Sequence, residues 1–390
     1  MKIASRITHG ILVVIAGLVA TGARAQAVDP APKPGKNTVV WKNPQERGVE
    51  GRGWSEGLAR YYDRLPAKAQ AKVNKSVWDF SRESSGMSVD FTTDSPEIRI
   101  RYKLLSDKLT HGWGDFSNQQ GSGFDLYARA VPGALGPASW RWMGANKPMS
   151  VAGEDSLVAG MSPGKKRFRL YLPVYNGVES VEIGVRAGAF FEQETPRKTL
   201  PVVFYGTSIM QGGAASRPGL SMSAIIGRKL DVPIVNLGFC GCGRMEPEVA
   251  GLIAEIPAAA YVVDCVPNMD ASSVKARTGP LVRILRAAHP ETPILLVNYH
   301  DLPMPAEFAS GAVARHKALQ ASLKNEYDKL AAAGVKNLHY LPGDALIGDD
   351  GEGTGDGVHP NALGHFRYAE AYIKALKPIL AGSATAGKTE

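Results

Sequence analysis

The hydrophobic pattern of this chain changes period once, at the polar stretch Glu194-Thr195-Pro196-Arg197-Lys198, and that change places two structural classes in one polypeptide. Before it, apolar residues recur at every second position. Ile98, Ile100, Tyr102 and Leu104 alternate with Glu97, Arg99, Arg101 and Lys103, and the pattern returns at Phe168, Leu170 and Leu172 and at Val181, Ile183 and Val185. Period two marks half-buried antiparallel strands, and turn-forming pairs such as Pro163-Gly164 and Asn176-Gly177 lie between them. Residues 38–195 are therefore expected to form an all-β sandwich, with a helical turn or two near 57–74. After the switch, continuous apolar runs (200–205, 233–237, 261–266, 294–299, 337–341) alternate with helical stretches (222–230, 246–256, 278–289, 312–333, 362–380). A continuous apolar run reads as a strand buried on both faces. Residues 199–380 are thus expected to form a flavodoxin-like, three-layer α/β/α domain with right-handed crossovers. The junction 194–199 is too short for a tether, so the first domain is expected to be a fixed part of the molecule that walls the site of the second.

The chain ends carry other signals. Lys2 and Arg6 precede the apolar run 11–20, and Ala23-Arg24-Ala25 is a small-x-small cleavage pattern, so residues 1–25 read as a secretory signal peptide cut after Ala25. Residues 26–37, proline-rich and polar, read as a flexible leader, and 381–390 as a disordered tail. No later stretch approaches the about 20 apolar residues of a membrane span, so a secreted or periplasmic protein without membrane insertion is expected. The formal charge of +8 falls to +5 once Lys2, Arg6 and Arg24 are removed. The cations are scattered, with Lys165-Lys166-Arg167 the one dense block, which argues against a nucleic-acid partner. Cys240, Cys242 and Cys265 have no metal-ligand spacing, and no metal or cofactor is expected. An oxidising compartment would let one pair of them bridge and leave one thiol. All six tryptophans precede the switch and read chiefly as core filler and interdomain contact. Trp113, bracketed by Gly112 and Gly114 in a loop, is kept as a candidate substrate contact.

In open α/β sheets the chemistry sits at the carboxyl ends of the strands. Four such ends present Gly206-Thr207-Ser208, Asn236-Leu237-Gly238, Val266-Pro267-Asn268-Met269-Asp270 and Asn298-Tyr299-His300-Asp301. Acyl transfer needs a nucleophile, a base, an acid that orients the base, and donors aimed at the oxyanion. Ser208 supplies the hydroxyl. Gly238, lacking a Cβ, can bring its N–H close; Asn268 offers a side-chain amide, and the Ser208 N–H is a third donor. The base comes from Gly355-Asp356-Gly357-Val358-His359, where a carboxylate three residues ahead of an imidazole can hold it in one tautomer. Arg217, Arg244, Glu246 and His300 fall near the same rim and are candidate substrate contacts.

The ordered blocks Ser, Gly, Asn and Asp-x-x-His resemble those of GDSL-type esterases of the SGNH hydrolase superfamily. The resemblance implies Ser208 as nucleophile, Gly238 and Asn268 in the oxyanion hole, and Asp356 with His359 as acid and base. Gly123-Phe124-Asp125-Leu126-Tyr127 resembles the GxDLY motif of a β-rich domain that precedes a subgroup of these esterases, and Gly206 to Gly213 with Arg217-Pro218-Gly219 resembles the same subgroup. Here Gly-Thr-Ser-Ile replaces Gly-Asp-Ser-Leu, and Val-Pro-Asn-Met-Asp replaces Gly-x-Asn-Asp, without touching the catalytic atoms. The resemblance implies a secreted serine esterase for short acyl groups, acetyl above all, on polysaccharides or oligosaccharides such as xylan. The expected partner is an acetylated carbohydrate or other small ester. A lipase-like or peptidoglycan O-acyl esterase, and a carbohydrate-binding protein with an inert hydrolase domain, are the alternatives; the intact residue set speaks against the inert one.

Overall fold

Nine strands build the first part of the chain in the computed structural model, which describes residues 38–110, 116–130, 139–344 and 346–386. The expected signal peptide and leader, Trp113 and residues 387–390 lie outside the described residues. The strands are β1 (Val39–Lys42), β2 (Ser88–Thr93), β3 (Ile98–Leu104), β4 (Asp125–Ala130), β5 (Ser139–Ala145), β6 (Ala152–Val158), β7 (Lys166–Tyr171), β8 (Val178–Arg186) and β9 (Phe191–Gln193). They pair antiparallel in two sheets of order β1-β8-β3-β6 and β5-β4-β7-β2-β9. The alternation in β3 does what period two requires. Ile98, Ile100, Tyr102 and Leu104 are buried in the sandwich core, while Arg99, Arg101 and Lys103 pair across strands with Glu154, Glu182 and Glu179 on the outer face.

The helix expected near 57–74 is displaced. The chain there makes a single 3₁₀ segment at Ala67–Ala71, and helix α1 (Lys75–Ser81) begins where the expected one ended, because the Asn74 side-chain Oδ1 caps it by accepting from the Val77 N–H at 2.9 Å. A second short helix, α2 (Asn118–Ser122), precedes β4.

The second part is a parallel sheet of β10 (Val202–Gly206), β11 (Ile234–Gly238), β12 (Ala260–Asp264), β13 (Ile294–Val297) and β14 (Leu338–Leu341), in the order β11-β10-β12-β13-β14. Every residue of the first four strands is buried, which explains their largely apolar runs; the polar exceptions Asn236 and Asp264 are hydrogen-bonded, Asp264 accepting from Tyr372 at 2.6 Å. Helices α3 (Ser208–Gln211), α4 (Met222–Leu230), α5 (Pro247–Ile253), α6 (Ala271–Ala288), α7 (Ala306–Ala332) and α8 (Ala362–Ala386) cover it. α4 packs on α8, and α6 packs on both α5 and α7, the division between two faces that right-handed crossovers give for this strand order. The first crossover runs to one side of β10 and the later ones to the other, so the residues after β10 emerge at the switch point.

Three boundaries depart from expectation by six residues or more. α7 starts at Ala306 instead of near 312, across a break in helical geometry at Ala309 (φ −151°, ψ +47°). α6 starts seven residues before Thr278, because Asp270 accepts from the Ser273 N–H at 2.7 Å and caps a polar first turn that carries no apolar signal. α8 runs past Leu380 to Ala386, into the segment read as a tail, where alanine is abundant and favours helix.

The two parts share polar and apolar contacts. Leu65, Val77 and Trp78 belong to the same buried cluster as Val235, Leu237 and Ile256. The fully buried Arg64 donates to the carbonyls of Phe80 and Glu83 on its own side and of Asn236 (3.1 Å) and Gly238 (2.6 Å) at the end of β11. Burial lowers its pKa to about 10 against the charge of Glu83. Trp54 donates its indole N–H to Glu255 across the same boundary, whereas Trp142 is half exposed.

The GxDLY-like segment forms the start of β4 and grips the loop ahead of α4. Asp125, fully buried, accepts from Arg217 Nη1 (2.7 Å), the Gly219 N–H (2.8 Å) and Trp142 Nε1 (2.9 Å), while Tyr127 accepts from Arg217 at 2.7 Å. A Cβ on Gly219 would lie 2.3 Å from the Tyr127 ring, so only glycine lets the loop approach that closely.

Candidate active site

β10 ends on Gly206, where a Cβ would meet the Asp264 carbonyl oxygen at 2.8 Å and Met210 Cβ at 2.7 Å; glycine is required for the chain to turn there. Thr207 caps α3 by accepting from the Ile209 N–H at 3.2 Å, and Ser208 becomes the first helical residue. Its N–H has no hydrogen-bond partner among the described residues. The helix closes after one turn at Gly212, whose φ of +115° favours glycine.

The base arrives from the segment before α8. Gly357 has φ +82°, and the Asp356 Oδ1 accepts from the N–H groups of Val358 (2.8 Å) and His359 (2.7 Å). Its Oδ2 lies 2.6 Å from His359 Nδ1, and His359 Nε2 lies 2.9 Å from Ser208 Oγ. With Nδ1–H donated to the carboxylate, Nε2 is left as the acceptor for the serine proton. Burial raises the Asp356 pKa, but hydrogen bonds from the His359 ring and from the His359 and Val358 amides outweigh it and leave the carboxyl below its ordinary value.

The sandwich side supplies two further walls. Phe116 stands edge-on to the His359 ring with centroids 5.6 Å apart, and Tyr175 donates to the Ser208 carbonyl at 3.1 Å. Neither was singled out from the sequence; their signal is only their place in loops ahead of the switch.

The oxyanion donors are arranged differently from expectation. The Gly238 N–H donates to Asn236 Oδ1 at 2.9 Å, and a Cβ at Gly238 would lie 2.3 Å from the Gln211 nitrogen. Glycine is needed there for packing under α3, and the donor is already engaged. Three residues on, Gly241 has φ +66°, is exposed, and its N–H has no partner among the described residues. The adjoining Cys240 N–H donates to Gln211 Oε1 at 3.1 Å. Gly241 is therefore the glycine of this loop whose amide is unengaged among the described residues, and the second glycine of Gly-Phe-Cys-Gly was the available clue. Asn268 lies on the 3₁₀ turn after β12, and its amide makes only long contacts, 3.4 and 3.3 Å, to the carbonyls of Phe239 and Gly243 in the same loop. Burial pushes the Cys240 thiol up to about 11, and Cys240, Cys242 and Cys265 are all free thiols.

The expected substrate contacts separate. Arg217 is held by Asp125 and Tyr127 at the interdomain clasp. His300 has no exposed surface; its Nδ1 lies 2.5 Å from the Tyr368 hydroxyl, and burial together with nearby His316 lowers its pKa to about 4. It is buried behind the rim against Tyr368. Arg244 is exposed and donates to the Gly241 carbonyl at 2.7 Å, so it braces that loop, and Glu246 accepts from Tyr205 and from the Arg244 N–H. Gln211 was not anticipated: it bonds Glu83 and the Val174 carbonyl from the sandwich side and so fixes the Cys240 loop. Burial raises the Glu83 pKa to about 8 despite Arg64 and Gln211.

This geometry coincides with two family models. Residues 199–377 match the GDSL-like lipase/acylhydrolase family, and residues 39–191 match the N-terminal domain of Esterase_SGNH_hydro-type proteins. A crystal structure of a Bacteroides ovatus protein described as a GDSL-like lipase is 32% identical, with a TM-score of 0.81 over 88% of this chain and 98% of that one. The chain belongs to the GDSL-like lipase/acylhydrolase family. It is an esterase of the SGNH type with the GxDLY domain in front, and its α/β sheet is the SGNH sheet. The same fold occurs in the salicylyl-acyltransferase SsfX3 of a tetracycline biosynthetic pathway (22% identity, TM-score 0.66, 89% of this chain and 98% of that one). It occurs also in a family two carbohydrate esterase from Clostridium thermocellum, solved with cellohexaose (14% identity, TM-score 0.51, 76% and 93%). No curated protein matches the chain in sequence.

Proposed function

We propose that this SGNH esterase is an exported enzyme that removes short acyl groups, acetyl above all, from polysaccharides or oligosaccharides such as xylan. The observation that carries the reading is the unbroken chain from Asp356 Oδ2 through His359 to Ser208 Oγ, at 2.6 and 2.9 Å. Ser208 Oγ attacks the ester carbonyl as its proton passes to His359 Nε2, and Asp356 stabilises the imidazolium. The oxyanion is met by the N–H groups of Ser208 and Gly241 and by the Asn268 amide. His359 returns the proton to the departing sugar hydroxyl. Water, deprotonated by the same nitrogen, then attacks the acyl-enzyme and releases the carboxylate, restoring Ser208.

A short acyl group is favoured by what surrounds the nucleophile. The segment Gln211 to Ser216 beyond the nucleophile is small and polar, and a Cβ at Gly213 would already touch Phe116 at 3.0 Å. Carbohydrate as the acyl carrier is supported by the fold shared with the family two carbohydrate esterases, and export by the leading segment. The test is acyl-chain selectivity: kcat/KM is expected to be higher on p-nitrophenyl acetate than on the octanoate, with acetate released from acetylated xylan. Faster turnover of the octanoate would favour the lipase-like alternative. N-terminal sequencing of exported protein should begin at Gln26.

A further inference from the structure

Between the outer edge of the sandwich and helix α4 lies a second cavity, of about 440 Å³, that shares no lining residue with the Ser208 site. Its size falls within the about 300–1,000 Å³ typical of small-molecule sites. One wall is apolar, formed by Leu220, Ile225 and Phe366, the last of them 40% exposed. The other is cationic, formed by Arg129, Arg228 and Lys229.

Those three cations form no ion pair among the described residues, although Asp231 also lines the cavity and the Arg228 charge reaches the Asp125 carboxyl. None has a carboxylate within salt-bridge distance among the described residues, because the neighbouring acids are committed elsewhere: Asp90 and Glu194 to Arg167 and Arg169, Asp125 to Arg217, and Asp231 to Arg197. Residues 131–138, between β4 and β5 in the sequence, contain no Asp or Glu. Instead they rest on aromatic faces. Arg228 lies 4.0 Å from the Tyr127 centroid, Arg129 5.6 Å from that of Trp140, and Lys229 5.3 Å from that of Phe366. Stacking of this kind orients a cation without satisfying its donors. Accordingly, Arg228 Nη1 and Trp140 Nε1 in this wall are buried with no hydrogen-bond partner among the described residues. Unpaired donors of that kind are costly unless an acceptor joins them.

We propose that this cavity is a second ligand site, which takes an anionic group carried on a ring of monosaccharide size. The anion sits among Arg129, Arg228 and Lys229, and the ring lies against the Phe366 wall. The assignment does not depend on the esterase reading, since it is read by binding alone.

Calorimetric titration of the full-length protein with glucuronate, glucose 6-sulfate, glucose and inorganic sulfate tests it, the two acids distinguishing a carboxylate site from a sulfate site. At least one acidic sugar should bind about tenfold or more tightly than either glucose or sulfate, since a charge-assisted contact is worth more than about 1.4 kcal/mol. Arg129→Gln with Lys229→Gln should weaken that binding about tenfold or more and leave turnover of p-nitrophenyl acetate unchanged. This pair is chosen because Arg228 packs on two tyrosine rings. Absence of binding, equal binding of glucose, equal binding of inorganic sulfate, or binding indifferent to the double substitution would each overturn the proposal.

Discussion

Asp125→Asn isolates what the GxDLY-like segment does. Asp125 is fully buried, and its two oxygens accept from Arg217, the Gly219 N–H and Trp142. An asparagine of the same shape offers one oxygen and one NH2 group, so at least one of the three donors would face another donor. Breaking a buried ion pair from one side costs about 3–5 kcal/mol, and a buried donor left unmet about 1–3 kcal/mol. Two features of the site reduce that loss. Burial raises the Asp125 pKa despite the opposing effects of Arg217 and Gly219, so removing the charge relieves desolvation. Arg217 also keeps its 2.7 Å bond to Tyr127 and, with its side chain 17% exposed, reaches water. A net loss of about 3 kcal/mol is expected, which at about 2 °C per kcal/mol for a chain of this length lowers Tm by about 6 °C. Scanning calorimetry reads it, and p-nitrophenyl acetate turnover measured well below Tm should change little because Asp125 touches no reacting group. A Tm within about 1 °C of wild type would refute the view that this motif clasps the two parts together.

Two further outcomes follow from the site and its supports. Asn268→Ala should lower kcat by about 10²- to 10³-fold with a smaller change in KM, since the amide acts on the developing oxyanion; an effect confined to KM would make Asn268 a substrate-binding residue. For pH, His365 accepts from the Met222 N–H and donates to the Gly213 carbonyl at 2.8 Å, and burial lowers its pKa and that of His300 to about 4. The unfolded chain binds those protons near the ordinary histidine pKa of 6.5 and the folded one only near 4, so stability is full above 6.5 and falls as pH drops through that window. Each group contributes about 3 kcal/mol by this argument. Denaturant unfolding at pH 7 and pH 4.5 checks it, and His365→Gln should flatten part of the slope.

The parallel sheet was legible because burial on both faces writes most of its strands as largely apolar runs; all five expected strands are present, shifted by at most two residues. Ser208, His359 and Asp356 were legible because their spacing and strand-end positions are local properties. Which glycine of the loop after β11 keeps an unengaged amide was not. Gly238 and Gly241 are both glycine for steric or conformational reasons, and only the hydrogen bond from the Gly238 N–H to Asn236 separates the engaged donor from the free one. His300 was placed on the rim because strand-end position says which loop a residue occupies, but not that Tyr368 draws the ring inward. Arg217, Tyr175 and Phe116 depend on contacts between the two parts, which no periodicity encodes.

The account centres on Ser208 as the nucleophile, and kcat of the Ser208→Ala protein on p-nitrophenyl acetate tests it most directly. The side chain contributes little packing, so the variant should keep the wild-type Tm, while kcat falls by about 10⁴-fold or more, as removal of one member of a catalytic triad does. A folded Ser208→Ala protein that retained near-wild-type kcat would contradict the assignment.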